Sequence, residues 1–250
     1  MRVLSLFSGI GGMDLGLERA GMTVVGQCEI DPYCRKVLAK HWPGVPCWDD
    51  VTTLTGEWIE QNCGRVDVIA GGFPCQDVSN AGLRAGISAP RSGLYRELVR
   101  CLRVVRPMYA VLENVAALLG RGMGTVLGDL AESGYDAEWD CVPASAVGAP
   151  HKRDRVFIVA YAYGVRRKAS GHWRIQKHAD AGISSQAWPA ERYKRPHVRE
   201  SPRFIESAVG RRTHGSADRL DSIAGLGNAV VPQVAEIVGR AVMEAAKEPA

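Results

Sequence analysis

Cys75 is the residue whose surroundings most favour covalent chemistry. It lies in the segment GGFPCQ at residues 71–76, directly after an apolar run that predicts a strand near 66–70. Glycine and proline stiffen the turn, so we expect the thiol at the carboxyl end of a strand, where open α/β sheets bind their ligands. A buried structural cysteine is the alternative. The neighbouring motifs favour a nucleophile.

Glu113 provides a carboxyl group after a second apolar strand, predicted near 108–112. Parallel strands end at one edge of a sheet, so Glu113 is predicted to lie beside Cys75. Partial burial there would raise the pKa of the carboxyl group, which suits a proton donor at neutral pH. A capping glutamate at a strand–helix junction is the alternative.

A glycine-rich turn, FSGIGG at residues 7–12, follows the first predicted strand. The residue three after Gly11 is Asp14, so the dinucleotide fingerprint G-x-G-x-x-G is broken, which favours a nucleoside without a pyrophosphate. Glu29 ends the second predicted strand at the distance where a carboxylate can bind ribose hydroxyls. A tight turn with a solvated glutamate remains the alternative.

The order of the predicted elements indicates an open α/β fold. Strands are predicted near 2–6, 23–28, 66–70 and 108–112, and helices near 12–20, 32–41, 94–104 and 123–133. Strands separated by helices imply a mostly parallel sheet with helices on both faces. Two further candidates, 135–142 and 155–161, predict an antiparallel pair at one edge. A last helix, starting at 231–233, has apolar residues at helical spacing.

The composition is that of an ordinary globular protein, with 46% hydrophobic and 23% charged residues. No stretch approaches the ~20 continuous apolar residues that a bilayer span requires, so we expect a cytoplasmic protein. The seven cysteines are odd in number, without a Cys-x-x-Cys or a zinc-type Cys/His pairing. They predict reduced thiols and no metal.

Positive charge is concentrated between residues 164 and 215. This segment has twelve Lys/Arg against four Asp/Glu, whereas the whole chain carries only +4. The basic residues are interleaved with aromatic ones, Trp173, Trp188, Tyr193 and Phe204. That mixture suits phosphate contacts combined with base stacking. A solvated insertion is the alternative.

Five motifs, in this order, resemble those of the DNA (cytosine-5)-methyltransferase family. They are FSGIGG at 7–12, GFPCQ at 72–76, ENV at 113–115, RDRVF at 153–157 and GNAV at 227–230. The resemblance covers residues 3–160 and 218–242. It implies an open, mostly parallel Rossmann-like sheet. It also implies methyl transfer from S-adenosylmethionine to C5 of a flipped-out cytosine in double-stranded DNA, with S-adenosylhomocysteine as product.

The resemblance also implies roles for individual residues. Cys75 would attack C6 of the base, Glu113 would hold its N3/N4 edge, and Arg153, with Arg155 nearby, would stabilise charge at the substrate. The residues implied or predicted to bind the cofactor are Phe7, Gly9, Gly11, Gly12, Glu29 (ribose), Ile30, Asp50 and Val51 (adenine), Pro74, Leu94, Asn228 and Val230. Those predicted to contact the substrate are Gln76, Ser79, Asn114, Arg174, Lys194 and Arg195.

Two domains are predicted on this basis. Residues 1–162 and 218–250 would form the catalytic domain, and 163–217 a small, irregular, basic target-recognition region. So small a region predicts a short recognition site and an affinity that falls steeply with salt. The family usually has Gln where His151 stands, which leaves the polar contact at that position open.

The expected partners are double-stranded DNA, bound by a monomer, and a cognate restriction endonuclease, with no membrane involved. A compact enzyme of this kind suggests a bacterial or phage origin and a nucleoid-associated location. Three other functions remain open: cytosine methylation of tRNA, a DNA-binding relative without catalysis, and a flavin or nicotinamide oxidoreductase. The broken glycine fingerprint disfavours the last of these.

Overall fold

A seven-stranded sheet with the order β3-β2-β1-β4-β5-β7-β6 forms the centre of the fold. The computed structural model describes residues 1–74, 93–149, 151–165 and 229–247. The strands are β1 Arg2–Leu6, β2 Thr23–Cys28, β3 Cys47–Trp48, β4 Val68–Gly72, β5 Tyr109–Val115, β6 Tyr135–Pro143 and β7 Asp154–Ala162. The helices are α1 Gly12–Arg19, α2 Pro32–His41, α3 Gly56–Cys63, α4 Gly93–Val105, α5 Leu118–Arg121, α6 Met123–Glu132 and α7 Pro232–Ala245. Within these ranges, no helix is long and apolar enough to cross a membrane.

Strands β1 to β5 run parallel, which places their carboxyl ends at one edge of the sheet. Strand β7 is antiparallel to both β5 and β6, and it lies between them. The predicted antiparallel pair is therefore confirmed, with β6 as the outermost strand. Across the register, Gly72 lies opposite Glu113, and Glu113 lies opposite Phe157.

Alternate residues of the central strands pack into two apolar layers, one on each face of the sheet. Leu4, Ile69 and Leu112 belong to the layer covered by α3, α4 and α6. Their neighbours in sequence, such as Val3 and Val111, belong to the layer covered by α1 and α7. Because both faces are covered, the central strands are mostly apolar, as is typical of parallel sheets.

Helix α7 brings the end of the chain back onto α1. It begins with proline at its first turn and buries the apolar residues predicted from their spacing, Val234, Ile237, Val238, Ala241 and Val242. The two helices approach closely at Gly16, where an added Cβ would meet the carbonyl oxygen of Pro232 and lie 2.5 Å from the Cβ of Ala235. The absence of a side chain at Gly16 therefore sets the distance between α1 and α7.

The structure differs from the sequence predictions in several elements. The predicted strand near 66–70 is β4, which lies two residues later because Gly71 and Gly72 pair with their neighbours rather than form the turn. The predicted strand near 108–112 is β5, which continues to Val115 because β7 pairs with it along its whole length. Strand β3 and helices α3 and α5 were not predicted.

Candidate functional site

A cavity of about 560 Å³ opens where β1, β2, β4 and β5 end. Its volume lies in the range of small-molecule sites. The predicted cofactor residues that line it are Phe7, Gly9, Gly12, Glu29, Ile30, Asp50, Val51, Pro74, Leu94 and Val230. Three residues from the predicted catalytic and substrate sets also line it, Glu113, Asn114 and Arg155. The carboxyl edge of the sheet thus brings motifs from distant parts of the sequence to one cavity.

The glycine-rich turn is built from left-handed backbone. Phe7 and Gly9 both have φ of 54°, and Gly11 has φ of 83°. A Cβ on Gly11 would collide with the Trp42 ring, so glycine is required there by backbone conformation and by space. Gly11 does not line the cavity; it shapes the turn from behind. The left-handed conformation of Phe7 is costly for a non-glycine residue, as is common at functional sites.

Glu29 joins the glycine-rich turn to the end of β2. Its buried carboxylate accepts hydrogen bonds from the backbone N–H of Gly9, at 2.7 Å, and from that of Asp31, at 2.8 Å. A carboxylate oxygen has a second lone pair, so each Glu29 oxygen can accept one more hydrogen bond. The geometry therefore leaves Glu29 able to bind a hydroxyl group of a ligand in the cavity.

Ile30 presents an apolar side chain at the mouth of the cavity. It is 67% exposed, which is unusual for an isoleucine. The backbone around it is held by Arg35, whose Nη1 donates to the carbonyl oxygens of Glu29, at 3.0 Å, and Ile30, at 2.7 Å. A fixed, exposed apolar surface beside a carboxylate suits a planar ring attached to a sugar.

Asp50 and Val51 form the opposite part of the wall. The Asp50 carboxylate accepts hydrogen bonds from the backbone N–H and the hydroxyl of Thr52, which hold its pKa below the usual value. Arg100 of α4 donates from Nη2 to the carbonyl oxygen of Val51, at 2.8 Å. Helix α4 thereby fixes the turn that carries both predicted adenine-binding residues.

Glu113 is a buried carboxyl group paired with an arginine. It stands in β5, and its Oε1 lies 2.8 Å from Nε of Arg155 on the neighbouring strand β7. Burial raises the pKa of Glu113, while the positive charges of Arg155 and Arg153 act against that rise. The predicted upward shift of the Glu113 pKa is therefore confirmed. A carboxyl group with a raised pKa holds a proton more readily than a solvated one, so Glu113 is suited to donating a hydrogen bond or a proton to a substrate.

Asn114 ties strand β5 to the turn that precedes Cys75 in the sequence. Its Nδ2 donates to the carbonyl oxygen of Phe73, at 3.1 Å, and its Oδ1 accepts from the N–H of Val115. Pro74, the residue before Cys75, lines the cavity. The root of the predicted nucleophile loop is therefore fixed beside the Glu113 carboxyl group.

Arg153 does not line the cavity. Its Nη2 donates to the carbonyl oxygen of Ala229, at 2.8 Å, and its backbone has a positive φ of 36°. Val230, which follows Ala229, has its carbonyl oxygen against Gly12. A Cβ on Gly12 would collide with that oxygen. Arg153 thus anchors the segment that closes one wall of the cavity. Burial and the charge of Arg153 lower the pKa of the nearby His151.

Seven predicted site residues lie outside the described residues: Cys75, Gln76, Ser79, Arg174, Lys194, Arg195 and Asn228. The predicted target-recognition region, 163–217, lies almost entirely outside them as well. The roles of these residues stay predictions.

Several residues of the site were not found from the sequence. The cavity is also lined by Ser5, Ser8, Met13, Cys28, Asp31 and Cys34. Arg35 and Arg100 hold its wall through carbonyl groups, and these contacts leave no pattern in the sequence because an arginine can reach any nearby carbonyl. Asp31 does have a signal, since it precedes Pro32 as the N-cap of α2 and accepts from the N–H of Cys34.

The cavity fits a nucleoside-type cofactor such as S-adenosylmethionine. It has the volume for one, a carboxylate with free lone pairs at Glu29, and apolar surface at Ile30 and Val51. Across the described ranges, no group of three or more metal-binding side chains is found.

Comparison with known proteins identifies similar sequences along most of the chain. A family model described as C-5 cytosine-specific DNA methylase matches residues 1–201. The Type II methyltransferase M2.BsuMI of Bacillus subtilis is 39% identical over 168 residues, which cover 64% of this chain and 42% of that protein. M.AquIA of Picosynechococcus sp. is 33% identical over 180 residues, which cover 65% of this chain and 73% of that protein. M.FnuDI of Fusobacterium nucleatum is 33% identical, with 64% and 47% covered. The chain therefore spans about half the length of M2.BsuMI and M.FnuDI.

Solved structures share this fold. The S. pombe Dnmt2 methyltransferase superposes with a TM-score of 0.69 at 16% identity, covering 98% of both chains. The Entamoeba histolytica methyltransferase EhMeth gives a TM-score of 0.68 at 17% identity, covering 99% of both chains. At such identities the likeness concerns the fold alone, and it confirms the predicted Rossmann-like sheet.

Proposed function

Because this chain belongs to the C-5 cytosine-specific DNA methylase family, we propose that it transfers a methyl group from S-adenosylmethionine to C5 of a cytosine in DNA. One observation carries the proposal furthest. The cavity at the carboxyl edge of the sheet joins the glycine-rich turn and Glu29 to the Glu113–Arg155 pair and to Pro74, which precedes Cys75. A cofactor pocket and a base-binding acid thereby share one space.

Bound S-adenosylmethionine would supply an electrophilic methyl group on a sulfonium. Glu29 would accept hydrogen bonds from the ribose through its remaining lone pairs. Ile30 would pack against the adenine, and Asp50 with Val51 would contact its polar edge. Phe7 and Leu94 would complete the apolar part of the pocket.

Cys75 begins the chemistry in this proposal. Its thiolate forms a bond to C6 of the cytosine, which makes C5 nucleophilic enough to take the methyl group. Loss of the C5 proton to a base and breakage of the bond between sulfur and C6 then restore the aromatic ring and the thiolate. The base must leave the DNA helix to reach the cavity, so base flipping is part of the proposal.

Glu113 and Arg155 act on the base while Cys75 is attached. The Glu113 carboxyl group would bind the N3/N4 edge and share a proton with N3 as the ring gains electron density. Arg155 holds the carboxyl group by its Nε at 2.8 Å and also lines the cavity, so its guanidinium can stabilise negative charge on the base. Arg153 would act through Ala229, by keeping the closing segment in place.

The basic segment is proposed to recognise the DNA target. Residues 163–217 would contact phosphates and bases, including through Arg174, Lys194 and Arg195. Gln76, Ser79 and Asn228, which also lie outside the described residues, would complete the substrate and cofactor contacts. We further propose that the protein acts as a monomer beside a cognate restriction endonuclease, since the relatives are named Type II methyltransferases.

Transfer of a labelled methyl group to DNA tests the proposal. Purified protein is incubated with labelled S-adenosylmethionine and, in parallel, with DNA and with tRNA. Bisulfite sequencing of plasmid from expressing cells then maps the target. Label in cytosine of DNA supports the proposal, label in tRNA alone would replace DNA by RNA as substrate, and label in neither would overturn it.

Two variants test the assigned roles. Cys75→Ser is expected to abolish transfer, and Glu113→Gln to reduce it about 100-fold or more, because both general acid catalysis and the charge-assisted contact are lost. Cys47→Ser is the matched control, since Cys47 is exposed and does not line the cavity. Full activity of the Cys75→Ser variant would refute the covalent mechanism.

A further inference from the structure

A chain of hydrogen bonds leads from the wall of the cavity to a buried carboxylate. The hydroxyl of Ser8 donates to Oγ of Ser5, at 2.9 Å, and Ser5 donates to Oδ1 of Asp14, at 2.5 Å. Nε2 of Gln27 donates to Oδ2 of Asp14, at 2.7 Å. Ser5 and Ser8 line the cavity, whereas Asp14 lies one layer behind them. The carboxylate therefore sits directly beneath the floor of the proposed cofactor site.

The charge of Asp14 is costly to the fold. Its side chain is completely buried, and no salt bridge to it exists in the part of the chain that the structure describes. Among the described residues, the charged side chain that acts on Asp14 is Glu18, which has the same sign. Burial raises the Asp14 pKa to about 6, so the group is still ionised at neutral pH. A buried charge held only by neutral donors is unfavourable unless another charge compensates it.

Other carboxylates at the cavity are already compensated or exposed to water. Glu113 is paired with Arg155, Glu29 accepts two backbone N–H groups, and Asp31 caps α2. Asp50 is partly exposed and bonded to Thr52. Asp14 differs in being shielded from solvent on all sides, so its field reaches the cavity with little screening.

We propose that Asp14 supplies the negative charge that attracts the sulfonium of S-adenosylmethionine, and that it fixes the glycine-rich turn through Ser5 and Ser8. Asp14 is thus a positioning residue that also selects the cofactor over its product, S-adenosylhomocysteine, whose thioether sulfur carries no charge. This inference rests on the proposed function, because it takes S-adenosylmethionine as the occupant of the cavity. It explains why an uncompensated charge is retained beneath that site.

Calorimetric binding of the two ligands, without DNA, tests this inference. Asp14→Asn keeps the shape of the side chain and an acceptor for Ser5, but it removes the charge. We expect the ratio of S-adenosylmethionine to S-adenosylhomocysteine affinity to fall about five-fold or more, because only the charged ligand loses attraction. S-adenosylhomocysteine affinity is expected to stay within about two-fold of wild type.

Ser8→Ala is the matched variant that separates position from charge. It removes the Ser8–Ser5 hydrogen bond at the glycine-rich turn but keeps the hydrogen bonds from Ser5 and Gln27 to the Asp14 carboxylate, so we expect both ligands to bind more weakly and by the same factor. If Asp14→Asn does not fold, as judged by circular dichroism, Asp14→Ser is measured in its place.

Each outcome decides between alternatives. An unchanged affinity ratio in the Asp14 variant would overturn the charge role, even if both affinities fall. Failure of both Asp14 variants to fold would also overturn the inference, because the carboxylate would then be structural. If wild-type protein binds neither ligand, the proposed function fails instead.

Discussion

The position of Glu113 depends on the missing side chain of Gly72. The two residues lie opposite each other in β4 and β5, and a Cβ on Gly72 would be 2.8 Å from Oε2 of Glu113. That oxygen is at the end of a rotatable side chain, so it can move without disturbing the backbone. A larger residue at position 72 would therefore shift the acid while leaving the sheet intact.

Gly72→Ala is accordingly predicted to impair catalysis more than stability. A displacement of a few tenths of an ångström at Glu113 should reduce kcat about 10-fold to 100-fold. The free energy of unfolding should change by less than about 2 kcal/mol. Gly124→Ala, at an exposed position of α6 with nothing within 4 Å of its added Cβ, is the control and should keep wild-type kcat. Equal kcat in the two variants would show that Glu113 needs no such space.

The raised pKa of Asp14 predicts that the stability of the protein depends on pH. The pKa of Asp14 is about 6 in the folded protein, against 3.8 for the free group. Between pH 3.8 and pH 6 the folded protein therefore holds a proton on Asp14 that the unfolded protein has released. The contribution of Asp14 to the free energy of unfolding is fully present below pH 3.8 and is lost as the pH rises through 6. Two pKa units correspond to about 3 kcal/mol.

Asp14→Asn should remove this dependence. Relative to wild type, the variant is predicted to gain about 2 kcal/mol in free energy of unfolding between pH 4 and pH 7. Urea denaturation at a series of pH values measures it. If the free energy of unfolding of the variant changes with pH in the same way as that of wild type across this range, Asp14 does not titrate with a raised pKa.

At the scale of elements, the contact between α1 and α7 holds the two ends of the described chain together. At Gly16 an added Cβ meets backbone atoms of α7, which cannot move aside as a side chain end can. Gly16→Ala should therefore cost about 1–3 kcal/mol of unfolding free energy, despite the better helix propensity of alanine. Chemical denaturation measures this loss.

Gly128→Ala provides the comparison for Gly16. Gly128 is exposed on α6, and nothing lies within 4 Å of its added Cβ. Alanine there should stabilise the protein by about 0.5–1 kcal/mol through the backbone entropy of the unfolded chain. A stabilising change at both glycines would contradict the close packing of α1 against α7.

Much of the element order could be predicted because it depends on local pattern. Helices α1, α2, α4 and α6 and strands β1 and β2 lie within two residues of their predicted positions. Strand β3 could not be predicted, because a two-residue strand has no periodicity of its own and forms only by pairing with β2. The extension of β5 to Val115 likewise depends on β7, forty residues away in sequence.

Site residues that belong to sequence motifs could be predicted, whereas residues that act only through contacts in the folded chain could not. The glycine-rich turn, Glu29 and Glu113 stand in recognisable patterns, and the structure brings them to one cavity. The Ser5–Asp14 bond joins residues nine apart through the turn of the chain, which no spacing rule describes. Asp14 did leave one signal, since it lies three residues before the buried Leu17 on the same face of α1.

For the molecule as a whole, charge is unevenly distributed. The segment 164–215 carries a net +8 in a chain of net +4, so the remaining 198 residues carry about −4. Cofactor and base chemistry are assigned to the neutral-to-acidic body, and DNA contacts to the basic segment. Binding to DNA should therefore release counterions mainly at that segment.

Salt dependence tests this division. Replacing Arg192, Lys194 and Arg195 by Gln should reduce the slope of log affinity against log salt by about 3. Replacing Arg19, Arg106 and Lys247, exposed residues of the body away from the cavity, should leave that slope within about 1 of wild type. Equal effects of the two triple variants would contradict a localised DNA site.

In the proposed mechanism, Cys75 becomes bonded to C6 of a cytosine during methyl transfer. Duplex DNA with 5-fluorocytosine at the bisulfite-mapped target can accept the methyl group but cannot lose fluorine from C5, so the adduct should accumulate. We predict a stable complex of protein and DNA that requires S-adenosylmethionine, with mass spectrometry locating the bond at Cys75 and none forming with Cys75→Ser. Absence of any covalent complex with active wild-type protein, or a bond at another residue, would contradict covalent catalysis by Cys75.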